Sequence, residues 1–128
     1  MNTKIVVKFW KEEAAKTWKV ANNLHRLGHN SECLFFCHLT LEKLLKGLIV
    51  QHTKHQAPYI HYLDALIIMT ELPTTKEQME QFKTISTFNI AGRYDDIKLS
   101  FYKKCTKTYT KKYFDITKNL QLWLNKQY

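Results

Sequence analysis

A chain of 128 residues can bury one hydrophobic core and is too short for two, so a single domain over residues 1–128 is expected. Its 45% hydrophobic and 24% charged content places it among globular sequences and excludes a disordered one. The formal net charge of +9 is uneven: from Lys98 onward there are eight lysines against one carboxylate, Asp115, which leaves only +2 on the preceding residues and makes the C-terminal end either an ordinary solvated lysine face, the reading slightly favoured, or a surface for an anionic partner.

Nearly every long segment reads as helix. Trp10, Ala14, Thr17, Trp18, Ala21, Leu24 and Leu27 recur at spacings of three and four, predicting a first helix from about Val7 to Leu27 with Gly28 as its C-cap. Before it, Met1 to Phe9 contains Asn2, Lys4 and Lys8 and has neither a long apolar run nor a small-residue cleavage site. No segment approaches the roughly 18 apolar residues of a membrane span, so the expectation is a cytoplasmic protein without membrane contact.

A second helix begins beside Asn30 or Ser31, with Glu32 in its first turn, and its apolar positions Leu34, Cys37, Leu41, Leu44, Leu45 and Leu48 carry it to about His52. It is the strongest apolar stretch of the chain, yet it carries a polar stripe, His38, Glu42 and Lys46, at i, i+4 and i+8. That spacing stacks the three on one face. Gly47 in the same helix costs roughly 1 kcal/mol relative to alanine, which predicts close approach of another backbone or side chain.

Pro58 and Pro73 bracket a short third helix from about Ile60 to Leu72. Thr74 followed by Glu77 has capping-box spacing, and Met79, Phe82, Ile85 and Phe88 predict the buried stripe of a fourth helix ended by Gly92. Residues 93–102 read as a polar irregular stretch. Tyr109, Tyr113, Ile116, Leu120, Trp123 and Leu124 mark a last helix. No window alternates with period two, so the expected fold class is all-α, an up-and-down bundle of about five helices without a sheet.

Several chemistries are disfavoured by spacing. His52, His55 and His61 match no standard metal site, and no metal or other cofactor is expected. Cys33 and Cys37 sit one helical turn apart with only Cys105 besides, which fits buried small residues in a reducing compartment and no disulfide framework. His38 follows Cys37 directly and so points about 100° away around the helix, which disfavours a thiol–imidazole dyad. Gly28, Gly47 and Gly92 are too far apart to form a phosphate loop.

The residues left over carry a family resemblance. Glu42-Lys43, Leu45-Lys46 and Gly47 resemble the central helix of the HEPN domain, His61-Tyr62-Leu63 resembles that family's His-x-Leu at the start of the third helix, and Arg93-Tyr94-Asp95-Asp96 resembles its Arg-Tyr-Pro-Asp, with Asp95 where proline is usual. The likeness runs from about Trp10 to Trp123. It implies a helical bundle that dimerises, found in nucleotide-binding modules, in ribonuclease toxins, and beside minimal nucleotidyltransferases in prokaryotic toxin–antitoxin pairs.

The ribonuclease branch carries Arg, four to six residues, then His. Here Arg26 is followed by His29 and then His38, too near and too far, and Arg93 has no histidine after it. The resemblance therefore implies a non-catalytic module engaging a nucleotide or a partner nucleotidyltransferase through Glu42, Lys46, His61, Arg93, Tyr94, Asp95 and Asp96, as a homodimer, with no catalytic residue assigned and with weak RNA binding at the lysine-rich end. The alternative is a divergent ribonuclease using His61 or Tyr94 in place of the missing histidine.

Overall fold

Two 24-residue helices form the frame. α1 (Thr3–Arg26) is capped by Asn2, whose side chain accepts from the Ile5 amide, and ends at Gly28 in the left-handed region at φ 79°, where the missing Cβ removes the steric penalty. The chain reverses over three residues into α2 (Asn30–Thr53), which packs back along α1. The computed structural model describes residues 1–128 and contains no strand.

α2 is the axis of the bundle, in contact with each of the other helices and buried around most of its circumference between Ser31 and Val50. Leu34, Leu41, Leu44, Leu45 and Ile49 anchor a core shared with Leu63, Leu66 and Ile67, with Phe82, Ile85 and Phe88, and with Leu120 and Leu124. Gly47 has the expected reason to be glycine: a Cβ there would meet the Tyr128 hydroxyl and lie 3.0 Å from the Trp10 Cβ. The tyrosine hydroxyl donates to the Leu44 carbonyl in the middle of α2, and Gln51 Nε2 donates to the Gln127 carbonyl at 3.1 Å, so the end of the chain is seated in the glycine notch.

α3 (Leu63–Met69) is shorter than its flanking prolines suggested, because the chain stays extended through Tyr62 and its first amide is received by Ser86 Oγ at 3.0 Å. α4 (Lys76–Ser86) starts one residue later than the Thr74–Glu77 pattern predicted: the capping box is built by Thr75 and Gln78. Both pairs have the spacing, and it is Thr75 that takes the extended cap conformation and bonds reciprocally with Gln78.

The main correction lies after Gly92. Residues expected to be irregular form α5 (Asp95–Lys104), so the bundle has six helices and not five. Asp95 and Asp96 in its first turn and Lys103 and Lys104 in its last complement the helix dipole at both ends. Only Phe101 in it is buried, so no apolar stripe announced it. α6 (Lys107–Asn125), capped by Thr106, closes the bundle against α2 through Phe114, Leu120 and Leu124.

Candidate functional site

The polar stripe of α2 is turned inward and bonded within itself and to His61, with His38 Nδ1 and Glu42 Oε1 left without hydrogen-bond partners. Lys46 Nζ donates to Glu42 Oε2 at 2.9 Å with both side chains below 10% exposed, and the ammonium also faces the Trp10 ring, 5.8 Å from its centroid. An exposed i, i+4 pair would contribute little. This one is buried, so its geometry must offset the loss of two hydration shells.

His61 closes the outer side of the pair. A carboxylate only accepts, so His61 Nδ1, 3.0 Å from Glu42 Oε2, carries the proton and donates it, leaving Nε2 free on an imidazole that is 60% exposed. His38 lies beneath, fully buried. Its Nε2 is 3.1 Å from the His61 carbonyl, which also only accepts, so Nε2 donates there and the neutral ring keeps a bare Nδ1 with no partner. Burial pushes His38 below its ordinary pKa, against the opposing pull of the carbonyl and of Glu42. Burial alone would push the Glu42 carboxyl up, but the hydrogen bonds from Lys46 and His61 outweigh it and hold the carboxyl below its ordinary value. Glu42 is thus an ionised hub holding a lysine from below and a solvent-facing histidine from above.

Immediately beyond His61 the chain reaches a second, open feature. Tyr62, Asp64, Lys83, Ser86, Thr87, Ile90, Arg93 and Ile97 line a groove of about 400 Å³ between α3, α4 and the start of α5. That volume lies within the range of small-ligand sites. Arg93 is held at its mouth by the Gly92 turn, at φ 76°, and its amide donates to the Ile90 carbonyl at 3.0 Å. Its guanidinium has neither an ion-pair nor a hydrogen-bond partner within the chain.

A family model of the HEPN domain matches residues 7–127. The chain belongs to the HEPN domain family. The crystal structure of TT1696 from Thermus thermophilus matches this HEPN chain with a TM-score of 0.78 at 19% sequence identity, covering 95% of this chain and 98% of that one, a likeness that bears on the fold alone. No curated protein matches the sequence.

The seven expected site residues of this HEPN domain separate into a bonded cluster, a groove residue and an exposed helix start. Glu42, Lys46 and His61 meet as one bonded cluster, with His38 added from the same stripe. Arg93 does not bond to Glu42; it faces the groove with Tyr62. Tyr94 is the N-cap residue of α5, 83% exposed, and Asp95 and Asp96 occupy that helix's exposed first turn, away from the groove lining. His61 and Tyr62, adjacent in sequence, join the bonded cluster to the groove.

Lys83, Ser86 and Thr87 were missed as groove residues. Lys83 is an exposed position of α4, Ser86 ends that helix with its Oγ turned to the Leu63 amide, and Thr87 is the C-cap; nothing in their spacing distinguishes them from an ordinary polar face. Of the three histidines weighed as metal ligands, His52 instead pairs with Glu71 at 2.6 Å and His61 with Glu42.

Proposed function

We propose that this HEPN domain is a non-catalytic binding module that engages a nucleotide, presented free or by a partner minimal nucleotidyltransferase, at the Arg93 groove. The observation that carries this reading is the unpaired Arg93 guanidinium at the mouth of a groove that also holds Lys83 and the exposed ring of Tyr62. Two cations supply phosphate recognition, Arg93 by its planar fork, and an aromatic face supplies a surface for a base. Glu42 and Lys46 neutralise each other below and set the position of His61, so their part is to hold the groove's edge.

The test is calorimetric titration of the purified protein with adenine and guanine nucleotides, and with a nucleotidyltransferase encoded beside it where one exists. Binding that survives in Arg93→Ala at parental affinity, in a protein of unchanged thermal stability, refutes the assignment. Self-association as a homodimer belongs to the same reading, supported by exposed apolar side chains on α3 and α5 such as Ile68 and Leu99, and a monomeric mass in light scattering at micromolar concentration argues against it.

A second reading is favoured by one geometric fact. Glu42 orients His61 through Nδ1 and leaves Nε2 in solvent, which is how a carboxylate prepares an imidazole for proton transfer. In a divergent ribonuclease that nitrogen would take the proton from a ribose hydroxyl. RNA cleavage by the parent, lost in His61→Ala, would establish it.

A further inference from the structure

Outside the Arg93 groove, the most concentrated charge around a concavity lies where α1 begins and α2 ends. Thr3, Lys4, Val7, Lys8, Lys11, Glu12, Gln51 and Lys54 line an open groove of about 450 Å³. Lys4, Lys8 and Lys11 recur at i, i+4 and i+7, so they share one face of α1 at axial steps of about 6 and 4.5 Å. Lys54 faces them from the C-cap of α2 in the left-handed conformation, φ 63°.

These charges are poorly neutralised from within. Lys4 has no ion-pair or hydrogen-bond partner, Lys11 lies over the Tyr128 ring at 4.9 Å, and Lys8 has only Glu12 at 3.8 Å, both side chains well exposed. Lys54 Nζ donates to the Gln51 carbonyl at 2.7 Å at the negative end of the α2 dipole, and it has no carboxylate beside it. Further along α1, Glu13 is shared by Lys16 at 3.6 Å and by Lys43 of α2 at 3.8 Å. The first turn of α1 contains Lys4 and no acidic residue, so a like charge sits at the positive end of the helix dipole. Repulsion among four ammonium groups and a helix N-terminus is relieved by an anion that spans them.

We propose that this groove binds a linear phosphate chain, the backbone of a single-stranded nucleic acid or an inorganic polyphosphate, with Lys4, Lys8 and Lys11 along the chain and Lys54 across it. The lysine ladder fits a repeating anion, because a compact one reaches only one or two of its steps. The site shares no residue with the Arg93 groove and stands independently of what binds there.

The test uses full-length protein and two probes, a fluorescent twelve-nucleotide oligouridylate and inorganic polyphosphate of similar length, titrated across a salt series. Lys4→Gln/Lys8→Gln/Lys11→Gln should weaken both at least tenfold and reduce the log–log salt slope for the oligonucleotide by about 2, since each phosphate contact on a single strand contributes roughly 0.7. It should leave nucleotide titration of the Arg93 groove unchanged, which keeps the two proposals separable. Lys111→Gln/Lys112→Gln/Lys118→Gln, which removes equal charge from α6, should cost no more than threefold. Tighter binding of the oligonucleotide than of polyphosphate assigns the site to nucleic acid, and the reverse order assigns it to free polyphosphate. Lys4→Gln alone, which removes a side chain with no partner, repeats the test in a protein whose fold cannot depend on it. Parental affinity in the α1 triple variant, or an equal loss in the α6 variant, overturns the proposal.

Discussion

The middle of α2 and the corner before α5 use charge in opposite ways. Around Glu42, a buried lysine and a half-exposed histidine are both bonded to one buried carboxylate, whereas at Arg93 a guanidinium stands in solvent with nothing to hold. The first arrangement is costly to disturb and offers little to a ligand. The second contributes little to the fold and leaves its hydrogen-bonding capacity for something else. Stability should therefore respond to changes in α2 and binding to changes at the corner.

The largest effect is expected from breaking the buried pair. Lys46→Met leaves Glu42 with a single donor in a site that excludes water and should lower unfolding stability by about 3 kcal/mol, the lower end of the range for an orphaned buried charge because His61 remains. Glu42→Leu/Lys46→Met, which removes both charges, should recover most of that loss in chemical denaturation. Recovery of nothing would mean that the pair is held by contacts other than its own charge.

The pH dependence follows from the same cluster. His38 is depressed from 6.5, so the unfolded chain takes up this proton first and stability falls as pH drops through 6.5 toward the folded value. Glu42 is depressed from 4.5, so its contribution is present above 4.5 and is lost as pH falls further, through its folded value. Thermal midpoints should decline in two stages on acidification. His38→Gln should flatten the upper stage and Glu42→Gln the lower, and a parent whose midpoint is constant from pH 7 to 5 would contradict the burial of His38.

Next comes the glycine notch. Gly47→Ala gains helix propensity of about 1 kcal/mol but drives a methyl into Tyr128 and Trp10, and the net expectation is a loss of about 1 kcal/mol with release of the chain's end. Tyr128→Phe should cost about as much through the hydroxyl's bond to Leu44. Because both changes act on one contact, the double variant should be less destabilised than the sum of the two.

The contrast also explains what could be read from sequence. The stripe His38, Glu42, Lys46 was legible because charge in an otherwise apolar helix has few explanations, and Gly47 because a glycine inside a helix asks for a neighbour. α5 was not legible. Its dipole-matched ends, Asp95 and Asp96 against Lys103 and Lys104, were present, but a helix lying on the surface through one buried phenylalanine has almost no periodicity to detect. The groove was half legible: Arg93 was singled out by the likeness of Arg93-Tyr94-Asp95-Asp96 to the family motif, while Lys83, Ser86 and Thr87 become neighbours only once α3, α4 and α5 converge.

The smallest effect on stability, and the largest on binding, belongs to Arg93. An exposed side chain without partners should change folding by no more than about 0.5 kcal/mol when truncated, so Arg93→Ala and the parent should unfold together. Binding should separate them. If the guanidinium holds a phosphate by two parallel N–H···O bonds, Arg93→Lys retains the charge but not the fork, and it should weaken nucleotide binding nearly as much as Arg93→Ala. If the residue acts only as a positive charge beside Lys83, Arg93→Lys should bind almost as the parent does, with a similar salt dependence. Glu42→Gln completes the comparison, because it keeps the volume of the hub and one acceptor oxygen while removing its charge. It should destabilise the cluster yet alter nucleotide affinity only through the position of His61 and Tyr62. A Glu42→Gln protein that is as stable as the parent but has lost its ligand would reverse the assignment, making the buried carboxylate the binding group and the open corner merely a turn.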